Sequence, residues 1–324
     1  MERYVAIDNV CAWPNLTLMP DGELIATIFN RPSHGSVEGD VECWASADGG
    51  RLWTLRGVPA PHEPGSNRMN VSAGLSADGA LVVLASGWSM KEGTLDERIM
   101  PCWSCRSTDA GRTWQRTDAV AVPAGHSFII PFGDIECLPD GTLASSFYTC
   151  TGGERSLDSA YLMFSRDGGK SWRDPVLIGA NDYNETDILR LRADRWLAAV
   201  RTQKDAHLEL FAGRDEGRSW TRMGPVSLPS QHPAHLFWLA DGRILLTYGL
   251  RNPGLWGVAA RLSDDEGETW GAPRLLVNLD DATDGGYPSS VQIEDGTIVT
   301  AYYVNRIAAH RRYHMGVVRW RLDE

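Results

Sequence analysis

Arginine, glutamate, histidine and tyrosine recur in this 324-residue chain at one distance from a repeated Asp-Gly pair, and that distance gives them a shared address. The pair sits in short apolar runs: MPDGELIA, SADGALVV, LPDGTLAS, ADGRILLT and EDGTIVTA, with RADRWLAA as a variant. Its Asp falls at 21, 78, 140, 194, 241 and 295. Asp-Gly between runs of period 2 is the signal of a two-residue hairpin turn. Residues roughly seven to ten positions before or after such a turn lie together at the other end of the hairpin. On the incoming side these are Trp13 and Asn15, Arg68 and Asn70, Pro131 and Phe132, Glu185, His232 and His235, and Tyr287. On the outgoing side they are Arg31, Trp88, Tyr148, Arg201, Tyr248 and Arg251, and Tyr302 and Tyr303. A concave rim of this composition suits an anionic carbohydrate: guanidinium pairs bidentately with carboxylate, and rings stack on sugar faces.

The elements that position these residues follow from a second repeat. SADGGRLW (46–53), STDAGRTW (107–114), SRDGGKSW (165–172), GRDEGRSW (213–220) and SDDEGETW (263–270) share the pattern S-x-D-x-G-x-x-W, with Gly213 in place of Ser. In such a turn Ser and Asp bond nearby N–H groups, Gly permits positive φ, and Trp packs between neighbouring units. These Asp residues are therefore read as structural. Six units of about 54 residues fill the chain, each predicting four short strands. Helical periodicity is missing. The expectation is an all-β, six-bladed propeller of four-stranded antiparallel blades, one domain over 1–324. The last unit lacks its turn motif, so the N-terminal strand RYVAID is expected to close the ring and remove an exposed edge.

Composition excludes several classes. The 31 basic and 42 acidic residues give a net charge of −11, which argues against nucleic acid or an anionic membrane as partner. No apolar run approaches the roughly 20 residues of a membrane span. The start, MERYVAIDNV, shows no basic region followed by an apolar one, so a cytoplasmic location is expected. Cys102 and Cys105 have C-x-x-C spacing but no second pair completes a zinc set, and the six cysteines are expected to be reduced, buried thiols. The acidic run from Asp280 to Asp284 matches no calcium loop and reads as solvated. Neither a metal nor a cofactor is expected, and the oligomeric state leaves no trace.

The five turns resemble the Asp boxes of the sialidase (neuraminidase) superfamily of six-bladed propellers, also called BNR repeats, and the resemblance spans essentially the whole chain. Asn184-Glu185, sixteen residues before Arg201, resembles the segment carrying a site Glu and a carboxylate-binding Arg. Gly286-Tyr287-Pro288-Ser289 resembles the segment carrying the nucleophilic Tyr. The resemblance implies attack by Tyr287 on an anomeric carbon while Glu185 takes its proton, the exception to glycosidases with paired carboxylates. A neutral Tyr meets less repulsion beside a substrate carboxylate than Asp or Glu, and its ordinary pKa near 10 calls for a neighbouring base. The loop from Arg31 to Asp40 lies where sialidases carry the general acid, which makes Glu38, Asp40 and His34 the candidates.

The family's arginine triad is only partly matched. Cys11-Ala12-Trp13-Pro14-Asn15 stands where the first Arg is usual, and Leu255-Trp256-Gly257 where the third is usual. Arg201 matches, and Arg31, Arg68 and Arg251 are candidate replacements. With Trp13, His235 and Tyr248 they complete the expected substrate-binding set. The resemblance implies an exo-acting glycosidase for sialic-acid-like or uronate-containing glycans, its partner being an acidic oligosaccharide or glycoconjugate. The alternatives are a polysaccharide lyase or a rhamnosidase- or uronidase-type glycosidase using His34, His126, His232 or His235 with Tyr, and a glycan-binding propeller without catalysis.

Overall fold

A computed structural model describes residues 1–90, 98–151, 154–192, 194–279 and 282–323. Its named elements are all strands, 24 in number. β1 (Glu2–Asp8) precedes the first unit, β2 (Cys11–Leu18), β3 (Leu24–Phe29), β4 (Val41–Ser46) and β5 (Thr54–Ala60). The second holds β6 (Asn70–Leu75), β7 (Leu81–Trp88), β8 (Ile99–Ser107) and β9 (Gln115–Thr117). The third holds β10 (Ile130–Cys137), β11 (Leu143–Thr151), β12 (Glu154–Ser165) and β13 (Arg173–Gly179). The fourth holds β14 (Tyr183–Arg190), β15 (Trp196–Thr202), β16 (Leu208–Arg214) and β17 (Ser219–Pro225). In the fifth are β18 (Gln231–Trp238), β19 (Ile244–Asn252), β20 (Leu255–Ser263) and β21 (Arg274–Asn278). The sixth is β22 (Gly285–Gln292), β23 (Ile298–Val304) and β24 (His314–Trp320), completed by β1.

Within each unit consecutive strands pair antiparallel. The second and third units merge into one eight-stranded sheet where β6 and β10 pair in parallel through Ala73 and Gly74. The first strands of the units, β2, β6, β10, β14, β18 and β22, contact one another in a closed ring. Closure depends on β1, which pairs with β24 from Glu2 against Arg319 to Asp8 against His314. The N-terminal strand thus takes the place the sequence predicts for it.

The Asp-box turns are held by the bonds their composition allows. In the first, the Ser46 hydroxyl donates to Asp48 at 2.8 Å and accepts the Gly50 N–H at 2.9 Å. Asp48 accepts the N–H groups of Arg51 and Leu52, both at 2.9 Å. Ser107, Ser165 and Ser263 repeat the pattern with Asp109, Asp167 and Asp265. Where Gly213 replaces Ser, Asp215 instead accepts the Ser219 hydroxyl at 3.0 Å. The box tryptophans seal neighbouring units: Trp172 of the third is fully buried against Val82 and Leu84 of the second. These carboxylates are spent on their own turns.

Cys11, Cys43, Cys102 and Cys105 are free, buried thiols, and burial pushes Cys105 up to about 12. Cys137 departs from the expectation of burial: it ends β10 at the hairpin side and is exposed. Asp280 and Asp281 of the acidic run lie outside the described residues. No helix among the described residues is long and apolar enough to cross a membrane.

Candidate active site

At the end away from the Asp-Gly turns, five of the six innermost strands break register against their partners. The breaks fall between Cys11 and Asn15, Phe132 and Ile135, Tyr183 and Thr186, Gln231 and Ala234, and Gly286 and Ser289. Only the β6 ladder runs without one. A bulge kinks its strand and re-aims a side chain, and here the residues inside the bulges include Trp13, Asp134, Glu185, His232 and Tyr287. Proline follows Trp13, His232 and Tyr287, and a residue without an N–H cannot continue the ladder. Trp13 and Tyr287 adopt φ of 53° and 54°, a costly conformation for aromatic residues that marks a site held in place by its surroundings. The same local device, repeated around the ring, turns side chains toward one centre.

At that centre Tyr287, Glu185 and Arg201 form a closed triangle. The Tyr287 hydroxyl donates to Glu185 Oε1 at 2.7 Å. Arg201 Nη1 donates to Glu185 Oε2 at 2.5 Å and to the Tyr287 hydroxyl oxygen at 3.2 Å. Tyr287 and Glu185 are each 5% exposed. Burial first, then Glu185, raises the Tyr287 pKa well above its ordinary value, while Arg201 and Arg251 pull the other way. The phenol is therefore neutral at rest, with Glu185 placed to accept its proton.

Arg251 reaches the same tyrosine from the next unit, its guanidinium carbon 5.0 Å from the Tyr287 ring centre. It stands across the ladder from Trp256, which occupies the position of a usual arginine, and lies 5.7 Å from that ring. Arg251 Nη2 donates to Gly285 O at 2.8 Å and lies 3.9 Å from Asp284. His232 is buried, and burial together with Arg201 and Arg251 pushes its pKa down to about 2, so it stays neutral. Buried nitrogens without partners among the described residues gather here: Nε of Arg201, Nε of Arg251, Nδ1 of His232 and Nε1 of Trp13. Trp13, in the other arginine position, lies 5.5 Å from the Tyr287 ring and stacks on His34 at 5.7 Å.

Four further sequence candidates, Arg68, Arg31, Tyr248 and His235, lie outside the triangle. Arg68 is fully buried and stacked 3.7 Å over Trp103, with Nη2 and Nε donating to Glu63 at 2.6 and 3.0 Å. Its charge is thereby consumed inside the second unit. Arg31 donates through Nε to the Glu38 carbonyl at 3.0 Å and holds its own loop. Tyr248 lies in the apolar contact between the fourth and fifth units and lines a cavity of about 550 Å³ with Leu228, Leu250 and Leu275. His235 is 3% exposed, bonded to Asp134 at 3.1 Å and accepting the Ser290 N–H at 3.3 Å. With Trp13, Asn15, Phe132 and Tyr287 it lines a cavity of about 20 Å³, enough for one water. Asp284, expected to be solvated with the rest of its acidic run, is instead 19% exposed and binds His34, Tyr303 and Tyr313, while His62, for which the sequence suggests no role, lies between Glu38 and Asp40.

A family model described as a BNR repeat-like domain matches residues 22–300. The chain belongs to that family. The BNR repeat-like chain is 24% identical over 339 residues to a sialidase of Bacteroides fragilis (strain YCH46), the match covering 93% of this chain and 61% of that protein. It therefore spans about three fifths of the curated relative it matches. A protein of unknown function from Dyadobacter fermentans DSM 18053 superposes with a TM-score of 0.85 at 19% identity, covering 98% of this chain and 97% of its own. A Hadza microbial sialidase, Hz136, superposes at 0.79 and 19% identity, covering 99% of this chain and 68% of its own. These likenesses show the all-β propeller fold that the chain shares with solved sialidases.

Proposed function

We propose that the chain is an exo-acting glycoside hydrolase for acidic glycans, sialic-acid-like or uronate-containing. The observation that carries this reading is the Tyr287–Glu185–Arg201 triangle, which joins a buried nucleophile, its base and a cation within hydrogen-bond distance. Tyr287 attacks the anomeric carbon as its proton moves to Glu185, and the aglycone departs with the electrons of the broken C–O bond. Water then attacks the same carbon from the other side and Tyr287 leaves, recovering its proton from Glu185. Arg201 and Arg251 hold the substrate carboxylate on the two sides of the tyrosine. The B. fragilis relative, named a sialidase, agrees with this chemistry.

One observation favours a second reading. Glu185 sits against Arg201, and Asp284 lies near Arg251, so neither guanidinium is a free charge. A rhamnosidase-type glycosidase, whose neutral sugar needs no carboxylate capture, uses the same triangle. The lyase alternative gains little: His235 has both ring nitrogens engaged, and His232 is a very weak base.

Hydrolysis of aryl sialosides, aryl uronides and aryl rhamnosides by the purified protein separates these readings. On an anionic substrate, replacing Arg251 with Ala removes a charged hydrogen-bond partner. A loss of about 1.5–3 kcal/mol raises KM by about 10- to 150-fold. On a neutral rhamnoside the same variant leaves KM within about threefold. An Arg251→Ala KM that is unchanged on every anionic substrate removes Arg251 from the clamp.

A further inference from the structure

The departing oxygen needs a proton, and the two carboxylates of the 31–40 loop are poorly disposed to give one. Asp40 Oδ1 accepts the His62 backbone N–H at 2.7 Å and His62 Nδ1 at 2.6 Å. Glu38 Oε1 accepts the Gly65 N–H at 2.7 Å, and its Oε2 lies 2.6 Å from His62 Nε2. The Asp40 hydrogen bond leads in raising the His62 pKa, against a smaller effect of burial. The result is a carboxylate–imidazolium–carboxylate clamp that pins the loop to the neighbouring segment. The backbone N–H of Gly65, with His62, holds Glu38 below the usual carboxylate range, and Asp40 is engaged by the same imidazole.

The third candidate of the loop is arranged differently. His34 lies one aromatic layer from the nucleophile: it stacks on Trp13, and it meets Tyr303 edge-on at 5.3 Å, with both rings against Tyr287. His34 Nδ1 is 3.0 Å from Asp284 Oδ2. Asp284 also accepts the hydroxyls of Tyr303 at 2.8 Å and Tyr313 at 2.9 Å. Burial alone raises an aspartate, but the hydrogen bonds from His34, Tyr303 and Tyr313 outweigh it and hold Asp284 below the usual carboxylate range. An ionised Asp284 on Nδ1 fixes the imidazole tautomer and ring plane, as a buried carboxylate does in hydrolase triads. His34 Nε2 has no partner among the described residues, and the side chain is 38% exposed.

We infer that the acid–base catalyst of the Tyr287 site is His34, held by Asp284, and that Asp284, Tyr303 and Tyr313 are its positioning residues; this rests on the glycosidase reading above. In the first step Nε2–H gives its proton to the glycosidic oxygen as the C–O bond breaks, and the bonding pair stays on that oxygen. The neutral imidazole then takes a proton from the attacking water as Tyr287 departs. Asp284 remains ionised throughout. It sits three residues before Tyr287 on the same chain segment, so nucleophile and acid share one anchor.

The test uses glycosides of one sugar with leaving groups of graded acidity, because a general acid matters most for the poorest leaving group. His34→Ala and Asp284→Asn are expected to lower kcat/KM at least about 100-fold on a phenyl glycoside and less than about tenfold on a 2,4-dinitrophenyl glycoside. Equal losses on both substrates overturn the assignment, as does a graded loss in Glu38→Gln or Asp40→Asn with none in His34→Ala. Thermal unfolding of each variant separates misfolding from catalysis. If the wild-type protein cleaves no glycoside, the glycosidase reading fails, and ¹⁵N NMR of the imidazoles still decides the role of Asp284. The expected result is His34 protonated at Nδ1 in the neutral wild type and at Nε2 in Asp284→Asn. The same tautomer in both overturns it.

Discussion

Tyr287→Phe lowers kcat/KM by about 10⁴-fold or more on any glycoside that the wild-type protein hydrolyses, a loss typical of a removed nucleophile. The substitution deletes one oxygen and keeps the ring, so the contacts with Trp13, Phe132 and Tyr303 persist. Glu185 loses one donor but retains Arg201, which limits the effect on folding to about 1–3 kcal/mol. On the proposed reading the two arginines bind the substrate without the hydroxyl, so the loss is expected on kcat rather than KM. If Glu185 were itself the nucleophile, Tyr287→Phe would cost only the orientation of a carboxylate. Steady-state rates on aryl glycosides check this, and a loss smaller than about tenfold excludes tyrosine catalysis.

Removing residues 2–8 strongly destabilises the fold or abolishes its cooperative unfolding. β1 supplies the outer strand of the sixth unit, and without it β24 becomes an unpaired edge. Ile7 is 3% exposed and packs with Met315 and Val317, and Arg319 donates to Glu2 at 2.7 Å. Losing one buried isoleucine and a ladder of backbone bonds amounts to about 5 kcal/mol or more. That is comparable with the whole stability of many domains, about 5–15 kcal/mol. The expected outcome is a thermal midpoint lowered by 10 °C or more, or no cooperative transition. An equally stable truncated protein contradicts closure by this strand.

The fold was legible because its signals are local and repeated. Asp-Gly turns and Asp boxes fix hairpin ends residue by residue, and six copies leave little freedom in topology. Glu185, Arg201 and Tyr287 were legible for the same reason, since each lies a set distance from a turn. Another signal of that kind went unused: Trp13-Pro14 and Tyr287-Pro288 both begin eight residues before the Asp of their turns, which marks equivalent bulges in adjacent units. Asp284 was not legible, because its partner His34 is brought to it only when the ring closes the first unit against the last. Arg68 failed for the opposite reason. Its distance from the turn is right, but β6 alone carries no bulge, and Glu63 and Trp103 take its charge within the unit. Tyr248 is equally near the rim in sequence, yet alternation along β19 turns it into the contact between units.

The central claim is that a glycosyl group is transferred to the Tyr287 oxygen. Incubating the protein with fluorinated mechanism-based reagents, 2,3-difluorosialic acid and a 2-deoxy-2-fluoro-uronosyl fluoride, slows release of the intermediate relative to its formation. Mass spectrometry of the digested protein then locates the adduct. The account predicts a mass increase of one fluorinated sugar on the peptide containing Tyr287, absent from Tyr287→Phe. An adduct on Glu185 or another residue contradicts it, as does glycoside hydrolysis by a protein on which these reagents leave no covalent label.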